Sequence, residues 1–249
     1  MTKNIKLFCL PYAGGTSMYY MKWKQYLCSN IEVYPLEMAG RGKRFGSNLF
    51  ENMYDVVKDL FSILAKELDK LGDFEYAFFG HSMGTVIIYE LMKKIKQYNY
   101  KEPIHIFMSG RVPPSFQEKK IIYNLSYDEF KREISNLGGV PDDIINNNDV
   151  FDIFLPILRA DYKIIETYKF SKSPKWNFDI SVLNGRNDPE VEDYYISKWD
   201  MYTNKKCNFY LFDGGHFFIN ENTVEVVEKI NNILIRNLGE KSFFKEAKI

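Results

Sequence analysis

The chain has 249 residues, of which 45% are hydrophobic and 16% aromatic, so it can bury a large core and is not a disordered polypeptide. Lysine and arginine together number 33, as do aspartate and glutamate, and this zero formal net charge argues against a nucleic-acid-binding protein that depends on a basic face. No run of about 18 apolar residues occurs, so we expect no membrane-spanning helix.

Short apolar runs, which predict β-strands, alternate along the chain with longer segments of helical periodicity. The strand candidates are residues 5–10, 31–36, 74–79, 104–108, 180–183 and 208–212. Apolar residues at steps of three and four predict helices from Tyr54 to Leu71 and from Val227 to Leu238, and another helix covers residues 85–96. Strands separated by helices predict one α/β domain over residues 1–249, with a mostly parallel sheet covered by helices on both faces.

Residues 112–176 interrupt this alternation. They contain no convincing strand, and helical patterns occur at Tyr127–Leu137 and at residues 150–168. A helical stretch of this length exceeds what one crossover connection needs. We therefore predict a helical lid insertion over the carboxyl edge of the sheet, with a decorated crossover as the alternative. Apolar side chains of this lid either line a ligand pocket or pack as core, and the spacing of the following residues fits both: Phe151, Phe154, Leu155 and Leu158.

Residues 80–84, with the sequence Gly-His-Ser-Met-Gly, carry the strongest chemical signal. The G-x-S-x-G pattern alone is weakly specific, but here it follows a predicted strand and precedes a predicted helix, which is typical of a nucleophile elbow. We predict that Ser82 is a nucleophile and that the amino end of the helix faces the oxyanion formed by its attack. An ordinary strand-to-helix turn with an incidental serine is the alternative.

A serine hydroxyl needs a general base, and the chain offers three histidines. His81 adjoins Ser82, and at an elbow its side chain points away from that of the serine. His105 lies within an apolar run and has the pattern of a strand residue. His216 remains as the predicted base, because it lies in a glycine-containing loop between the last predicted strand and the last predicted helix.

The third member of such a site is a carboxylate that follows a strand. Asp188 fits this requirement, because it follows the run at 180–183 through a turn that contains glycine and proline. The other candidates, which lie in a turn, before a strand or in helical patterns, are Asp213, Asp179, Asp161 and Asp193. The order Ser82, Asp188, His216 is that of the α/β-hydrolases and differs from the orders of chymotrypsin and subtilisin.

An oxyanion hole needs backbone donors. We predict the N–H of Met83 as one donor, because it begins the helix after the serine. Residues 11–15, Pro-Tyr-Ala-Gly-Gly, follow the first predicted strand, and their glycines allow close approach to a substrate. The second donor is therefore the N–H of Tyr12 or Ala13. The sequence shows neither a metal-ligand spacing nor a nucleotide-binding glycine motif, so we expect no metal and no cofactor.

The cysteines indicate the cellular compartment in which the protein is expected. They number three, an odd count without paired spacing, and the first residues contain no signal-peptide core. We interpret Cys9, Cys28 and Cys207 as small buried hydrophobic residues rather than nucleophiles. A chain with free thiols and no export signal is expected in the reducing cytoplasm.

Several motifs share a common resemblance. They are Leu10-Pro-Tyr-Ala-Gly-Gly15, Glu37-Met-Ala-Gly-Arg41 with Arg44, Gly80-His-Ser-Met-Gly84, Gly185-Arg-Asn-Asp188 and Gly214-Gly-His-Phe217, with lid-like segments at 137–141 and 154–162. In this order the chain resembles, over nearly its whole length, the type II thioesterases that accompany nonribosomal peptide and polyketide synthetases (NRPS and PKS). Leu10 and Ala39 depart mildly from the family pattern, where phenylalanine and proline are commoner, and neither supplies a catalytic group.

The resemblance implies an α/β-hydrolase fold and a thioesterase that removes acyl groups from the phosphopantetheine thiol of carrier domains, which clears stalled or misprimed synthetases. It implies a covalent mechanism on Ser82, with His216 and Asp188 as partners. The expected partner is an acyl-loaded peptidyl or acyl carrier protein domain, without nucleic acid or membrane, and we expect a monomer. A free-standing carboxylesterase or lipase and a non-catalytic binding protein of this fold are the alternatives. The acyl group and the pathway are not specified by the residues.

Overall fold

The computed structural model describes residues 4–70, 74–116 and 120–239, with the backbone alone at position 193. Its strands form one parallel sheet: β1 (Asn4–Leu10), β2 (Ile31–Pro35), β3 (Phe74–His81), β4 (His105–Ser109), β5 (Ile180–Gly185) and β6 (Cys207–Phe212). Each predicted strand is present, and its boundaries differ from the predicted ones by at most two residues. The predicted α/β architecture is therefore confirmed.

Helices connect these strands. In the described ranges they are α1 (Met53–Leu68), α2 (Met83–Gln97), α3 (Tyr127–Leu137), α4 (Asp142–Ile145), α5 (Asn148–Glu166), α6 (Asp193–Ile196), α7 (Phe218–Glu221) and α8 (Thr223–Asn237). Short 3-10 segments occupy Ser17–Gln25, Gly42–Arg44 and Ser197–Tyr202. The predicted helices correspond to α1, α2, α3, α5 and α8. Leu71, which the sequence pattern assigned to the first helix, lies outside the described residues.

The strand order is β2-β1-β3-β4-β5-β6. The chain thus moves from β1 to β2 on one side, and then returns to add β3 and all later strands on the other side of β1. The direction of winding reverses between β1 and β3. Since ligands of open parallel sheets bind outside the carboxyl ends of the strands at such a reversal, the loops after β1 and β3 mark the expected site.

The two faces of the sheet carry separate hydrophobic clusters, because alternate residues of a strand point to opposite sides. On one face, Phe78 and Ile106 pack with apolar residues of α1 and α2. On the other, Phe79 and Phe107 pack with α8 and with Tyr20 and Trp23 of the first 3-10 segment. Burial on both faces explains why the strands have near-continuous apolar sequences.

The connection between β4 and β5 contains α3, α4 and α5, so helices occupy the middle of residues 112–176. These helices bury a hydrophobic cluster of their own, which is distinct from the two clusters on the sheet. Phe151 and Leu158 belong to its buried centre, with Phe154 and Leu155 packed against it. Of the two roles that the sequence left open for these four side chains, the structure favours packing within the insertion.

His105 is buried between the sheet and the end of α8. Its Nε2 lies 2.8 Å from the hydroxyl oxygen of Ser181, and the side-chain amide of Asn237 donates to its Nδ1 at 3.1 Å. Because Nδ1 accepts, the proton of the neutral ring is on Nε2 and is donated to Ser181. Burial lowers the pKa of His105 to about 4, against a smaller opposite effect of Asp179.

We expect His105 to make the fold sensitive to acid. Between pH 6.5 and 4 the unfolded chain binds a proton at this position and the folded chain does not, so the free energy of unfolding falls as the pH falls. The contribution reaches about 3 kcal/mol at the low end of that range. Urea denaturation of the protein and of His105→Gln at several pH values measures it. Equal pH slopes for the two proteins would exclude this origin.

Candidate active site

Ser82 stands at the turn between β3 and α2. Its backbone angles are φ 51° and ψ −116°, a combination that side-chain-bearing residues rarely adopt. The amide of Ser82 donates to the carbonyl of Ser109 on β4 at 2.8 Å, and its own carbonyl accepts from the amide of Thr85 at 3.0 Å. These bonds hold the strained turn in place, and strain of this kind at a strand-to-helix turn is characteristic of a nucleophile elbow.

The two glycines of the motif, Gly80 and Gly84, are required because other backbone atoms lie too close to leave room for a side chain. A Cβ at position 80 would lie 2.7 Å from the backbone of Gly84, and a Cβ at position 84 would lie 2.5 Å from the carbonyl oxygen of Leu10. Gly80 therefore lets the turn close tightly on itself. Gly84 lets the start of α2 pack directly on the end of β1, which brings the loop at residues 11–15 beside the serine.

His216 and Asp188 meet in the loops after β6 and β5. His216 Nδ1 lies 2.9 Å from Asp188 Oδ2, and both residues are buried. The other carboxylate oxygen, Oδ1, accepts from the amide of Glu190 at 2.9 Å. A carboxylate can only accept, so Nδ1 carries the proton and Nε2 of the neutral ring is left as a hydrogen-bond acceptor.

Asp213, Asp179 and His81, which the sequence offers as alternatives to Asp188 and His216, have other partners. Asp213 pairs with Arg186 at 3.1 Å on the surface, and Asp179 accepts from the amide of Lys206 at the amino end of β5. His81 is fully buried, with Nδ1 2.9 Å from the hydroxyl of Ser109. Burial, followed by the nearby His216, lowers the pKa of His81 well below its ordinary value. His81 therefore stays neutral beneath the loop of His216.

The residues that carry the predicted oxyanion donors, Met83 and Tyr12 or Ala13, line the same cavity as Ser82. Met83 begins α2, and the first amides of a helix have no partner within it. The loop at residues 11–15 closes by a bond from the amide of Gly15 to the carbonyl of Tyr12 at 3.0 Å. The ring of Tyr12 packs edge-on against Phe217, with 4.9 Å between centroids. The loop thus connects the end of β1 to the loop of the predicted base.

A cavity of about 300 Å³ opens at this edge of the sheet. The predicted site residues that line it are Ser82, His216, Met83, Tyr12 and Ala13. Asp188 lies behind His216. The insertion contributes Tyr162 and Ile165 of α5 and Leu137 of α3, together with polar side chains such as Lys120 and Glu133. A cavity lined by the strained serine and by both apolar and polar side chains of the insertion is suited to a chain-like substrate whose reactive carbonyl reaches Ser82.

The three cysteines lie outside this cavity and are unpaired thiols. Burial raises the pKa of Cys9 well above its ordinary value, raises that of Cys28, and raises that of Cys207 to about 12. Thiols with raised pKa values are poor nucleophiles. Over the described ranges the structure has no cluster of metal-ligating side chains, and no helix there is long and apolar enough to cross a membrane.

Sequence reasoning missed a buried ion pair next to the site, between Arg41 and Asp161. By its sequence pattern Asp161 is a helix residue, and Arg41 is part of the motif at residues 37–41. A usable signal was nevertheless present, because Asp161 is spaced three residues from Leu158 and from Ile164 on the apolar face of α5. A carboxylate on such a face must have a buried partner.

A parallel sheet with a strained serine at an elbow and a histidine–aspartate pair after later strands defines the class as an α/β-hydrolase. The family model of the thioesterase domain matches residues 5–234, and the chain belongs to the thioesterase family. It is therefore a thioesterase.

Individual relatives agree with this assignment. The gramicidin S biosynthesis protein GrsT of Aneurinibacillus migulanus is 32% identical over 90% of this chain and 87% of its own. The medium-chain S-acyl fatty acid synthase thioesterase of Rattus norvegicus is 31% identical over 88% of this chain and 85% of its own. The crystal structure of ClbQ from the colibactin NRPS/PKS pathway superposes with a TM-score of 0.88 at 34% identity, covering 94% of this chain and 98% of its own.

Proposed function

We propose that this thioesterase hydrolyses acyl groups from the phosphopantetheine thiol of carrier protein domains in a nonribosomal peptide or polyketide pathway. The observation that carries the proposal is the cavity that joins Ser82, His216 and the loop at residues 11–15 in a chain of the thioesterase family. ClbQ, from the colibactin NRPS/PKS pathway, and GrsT, named for gramicidin S biosynthesis, support the carrier-bound substrate.

In the proposed mechanism Ser82 attacks the thioester carbonyl while Nε2 of His216 accepts the hydroxyl proton. The tetrahedral intermediate places its negative oxygen between the amide of Met83 and the amide of Tyr12 or Ala13. His216 then gives the proton to the departing thiol, which leaves an acyl ester on Ser82. A water molecule, deprotonated by His216, attacks this ester, and the acid is released as the proton returns to Ser82.

Asp188 acts through His216 in this scheme. Its Oδ2 accepts the Nδ1 proton at 2.9 Å, which fixes the tautomer that leaves Nε2 free to accept from the serine. Its negative charge stabilises the imidazolium form that exists while His216 holds the second proton. No step of this scheme transfers a proton to Asp188.

Comparing three substrates with one acyl group tests this function. We expect kcat/KM to be highest for the acyl-loaded carrier domain, at least about tenfold above the free acyl thioester, because binding energy from the carrier contributes to reaching the transition state. The corresponding oxygen ester is expected to react more slowly still. Equal rates for carrier and free thioester would contradict carrier recognition, and a preference for the oxygen ester would indicate a carboxylesterase.

We further propose that residues 112–176 form a lid that opens for the phosphopantetheine arm. The separate hydrophobic cluster of α3, α4 and the first part of α5 supports this, because that part of the segment has a core of its own. Ile164 and Ile165, near the end of α5, pack instead with the cluster on the sheet and would anchor the lid there. Gly138, in the left-handed region with φ 75°, ends α3 and gives a point where the chain direction changes.

Hydrogen exchange tests the lid. In the free protein we expect amides of α3 and α5 to exchange faster than those of β1, β3 and β4. Binding of acyl-loaded carrier to the Ser82→Ala variant, which cannot consume it, is expected to slow exchange in those helices, whereas carrier without an acyl group has a smaller effect. Protection equal to that of the central strands, and unchanged by either carrier, would make the segment a rigid decoration.

The proposed setting is the cytoplasm, with the protein acting as a monomer on separate carrier domains. The free thiols of Cys9, Cys28 and Cys207 support a reducing compartment. Sedimentation of the purified protein gives its oligomeric state directly.

A further inference from the structure

The loop at residues 11–15 is held from two directions. The amide of Gly14 donates to Asp161 Oδ2 at 2.7 Å, and Arg41 Nη1 donates to the carbonyl of Gly15 at 3.2 Å. Arg41 also binds Asp161 through both of its terminal nitrogens, with 2.7 Å between Nη2 and Oδ1. One buried carboxylate thus bonds to the loop directly and to the arginine that holds the next residue.

Asp161 belongs to α5, so this contact joins the loop to the insertion. Leu158, one turn earlier on α5, packs on the same loop so closely that a Cβ at Gly14 would lie 2.3 Å from its Cδ2. Tyr162, which follows Asp161, and Ile165 line the cavity. A single helix therefore contacts both the space for the acyl chain and the backbone of the loop.

The energetics indicate a role other than stability. Asp161 is fully buried and Arg41 is 5% exposed, so both charges have lost their hydration. Burial lowers the pKa of Arg41, but the charge and hydrogen bonds of Asp161 raise it by more, so the pKa lies above its ordinary value. Apolar side chains of similar volume often stabilise a fold as well as a buried ion pair does. What apolar side chains cannot supply is an acceptor for the Gly14 amide.

We propose that Asp161, oriented by Arg41, is a positioning residue that sets the loop at residues 11–15 in the geometry needed to stabilise the oxyanion. This inference rests on the proposed role of the Tyr12 or Ala13 amide as an oxyanion donor. It also makes the oxyanion hole dependent on the placement of α5, so that the donors are aligned when the insertion is closed over the substrate.

Paired substitutions test the proposal without leaving a buried charge unpaired. Arg41→Met with Asp161→Ala removes both charges and leaves the Gly14 amide without its acceptor. We expect kcat to fall by about 10-fold to 100-fold with KM within about twofold, which is less than outright loss of an oxyanion donor. Arg41→Met with Asp161→Asn restores an amide oxygen as acceptor for Gly14 and is expected to recover part of kcat, because the bonds from Arg41 to position 161 and to the Gly15 carbonyl are still absent. All assays run well below the measured Tm of each variant.

A second readout reports the oxyanion directly. An acyl trifluoromethyl ketone forms a tetrahedral adduct with the serine, and this adduct carries a negative oxygen. Its inhibition constant should therefore rise across the variants in proportion to the fall in kcat/KM. A matched control is the ion pair between Lys6 and Glu67, 2.7 Å apart, at the amino end of β1. Lys6→Met with Glu67→Ala is expected to change Tm and to leave kcat and inhibitor affinity unchanged.

The outcomes separate this inference from the proposed function. A wild-type protein that fails to hydrolyse acyl-loaded carrier would contradict the proposed function. An active wild type whose Arg41→Met, Asp161→Ala variant matches the Lys6, Glu67 control would overturn the positioning role alone. Loss of kcat that Asp161→Asn does not recover even in part would overturn it as well, because the acceptor for Gly14 would then be irrelevant.

Discussion

Replacing Ser82 with alanine is expected to lower thioester turnover by at least about 10⁴-fold and to leave the fold intact. The substitution removes the hydroxyl that attacks the carbonyl, and the oxyanion donors alone cannot replace a nucleophile. Alanine and serine experience similar strain at φ 51°, and the turn is held by backbone bonds of Ser82 rather than by its side chain. We therefore expect Tm to change little. Single-turnover hydrolysis of acyl-loaded carrier measures the loss.

Two histidine variants provide the matched comparison. His216→Ala should be nearly as severe as Ser82→Ala, because the two groups act as one unit. His105→Ala should instead lower Tm while leaving kcat nearly normal, because His105 bonds to Ser181 and Asn237 within the core. Turnover of Ser82→Ala within tenfold of the wild type would exclude Ser82 as the nucleophile.

The sheet could be predicted from the sequence because its strands are buried on both faces. Such strands are short apolar runs bounded by polar or turn residues, and β1 and β3 carry this signal with one charged exception each near the amino end, Lys6 and Glu75. The motif around Ser82 was also predictable. Its position between a strand and a helix follows from the apolar run of β3 before it and the helical pattern of α2 after it. Local sequence was sufficient wherever the relevant contacts are local.

Other features depend on contacts between distant segments. The 3-10 segment Ser17–Gln25 has little amphipathic pattern, although Tyr20 and Trp23 are fully buried against the sheet. The cavity wall was also beyond prediction. Leu158, Tyr162 and Ile165 share one face of α5 by their spacing, yet only Tyr162 and Ile165 line the cavity, whereas Leu158 is buried in the cluster of the insertion. Which side chains of this one face reach the cavity depends on how the insertion packs, and the sequence pattern does not show that packing.

Asp188→Asn is expected to lower kcat by about 10⁴-fold in a protein that still folds, the loss known for an orienting aspartate in a serine triad. The structure supplies the reason. Asp188 Oδ1 accepts from the amide of Glu190, so the oxygen of an asparagine would keep that bond and turn its NH₂ toward His216. Nδ1 would then have to accept, which moves the ring proton to Nε2. His216 could no longer take the proton from Ser82.

The control for this variant is Asp213→Asn. Asp213 lies only three residues before the predicted base, His216, in the sequence. Asp213 lies on the surface with Arg186, and its loss should leave kcat within about twofold, because exposed ion pairs contribute little. A near-normal rate for Asp188→Asn together with a large loss for Asp213→Asn would transfer the acid role to Asp213. The pH dependence distinguishes the expected case further, since a histidine in the wrong tautomer should recover rate at high pH, where hydroxide can replace it as the base.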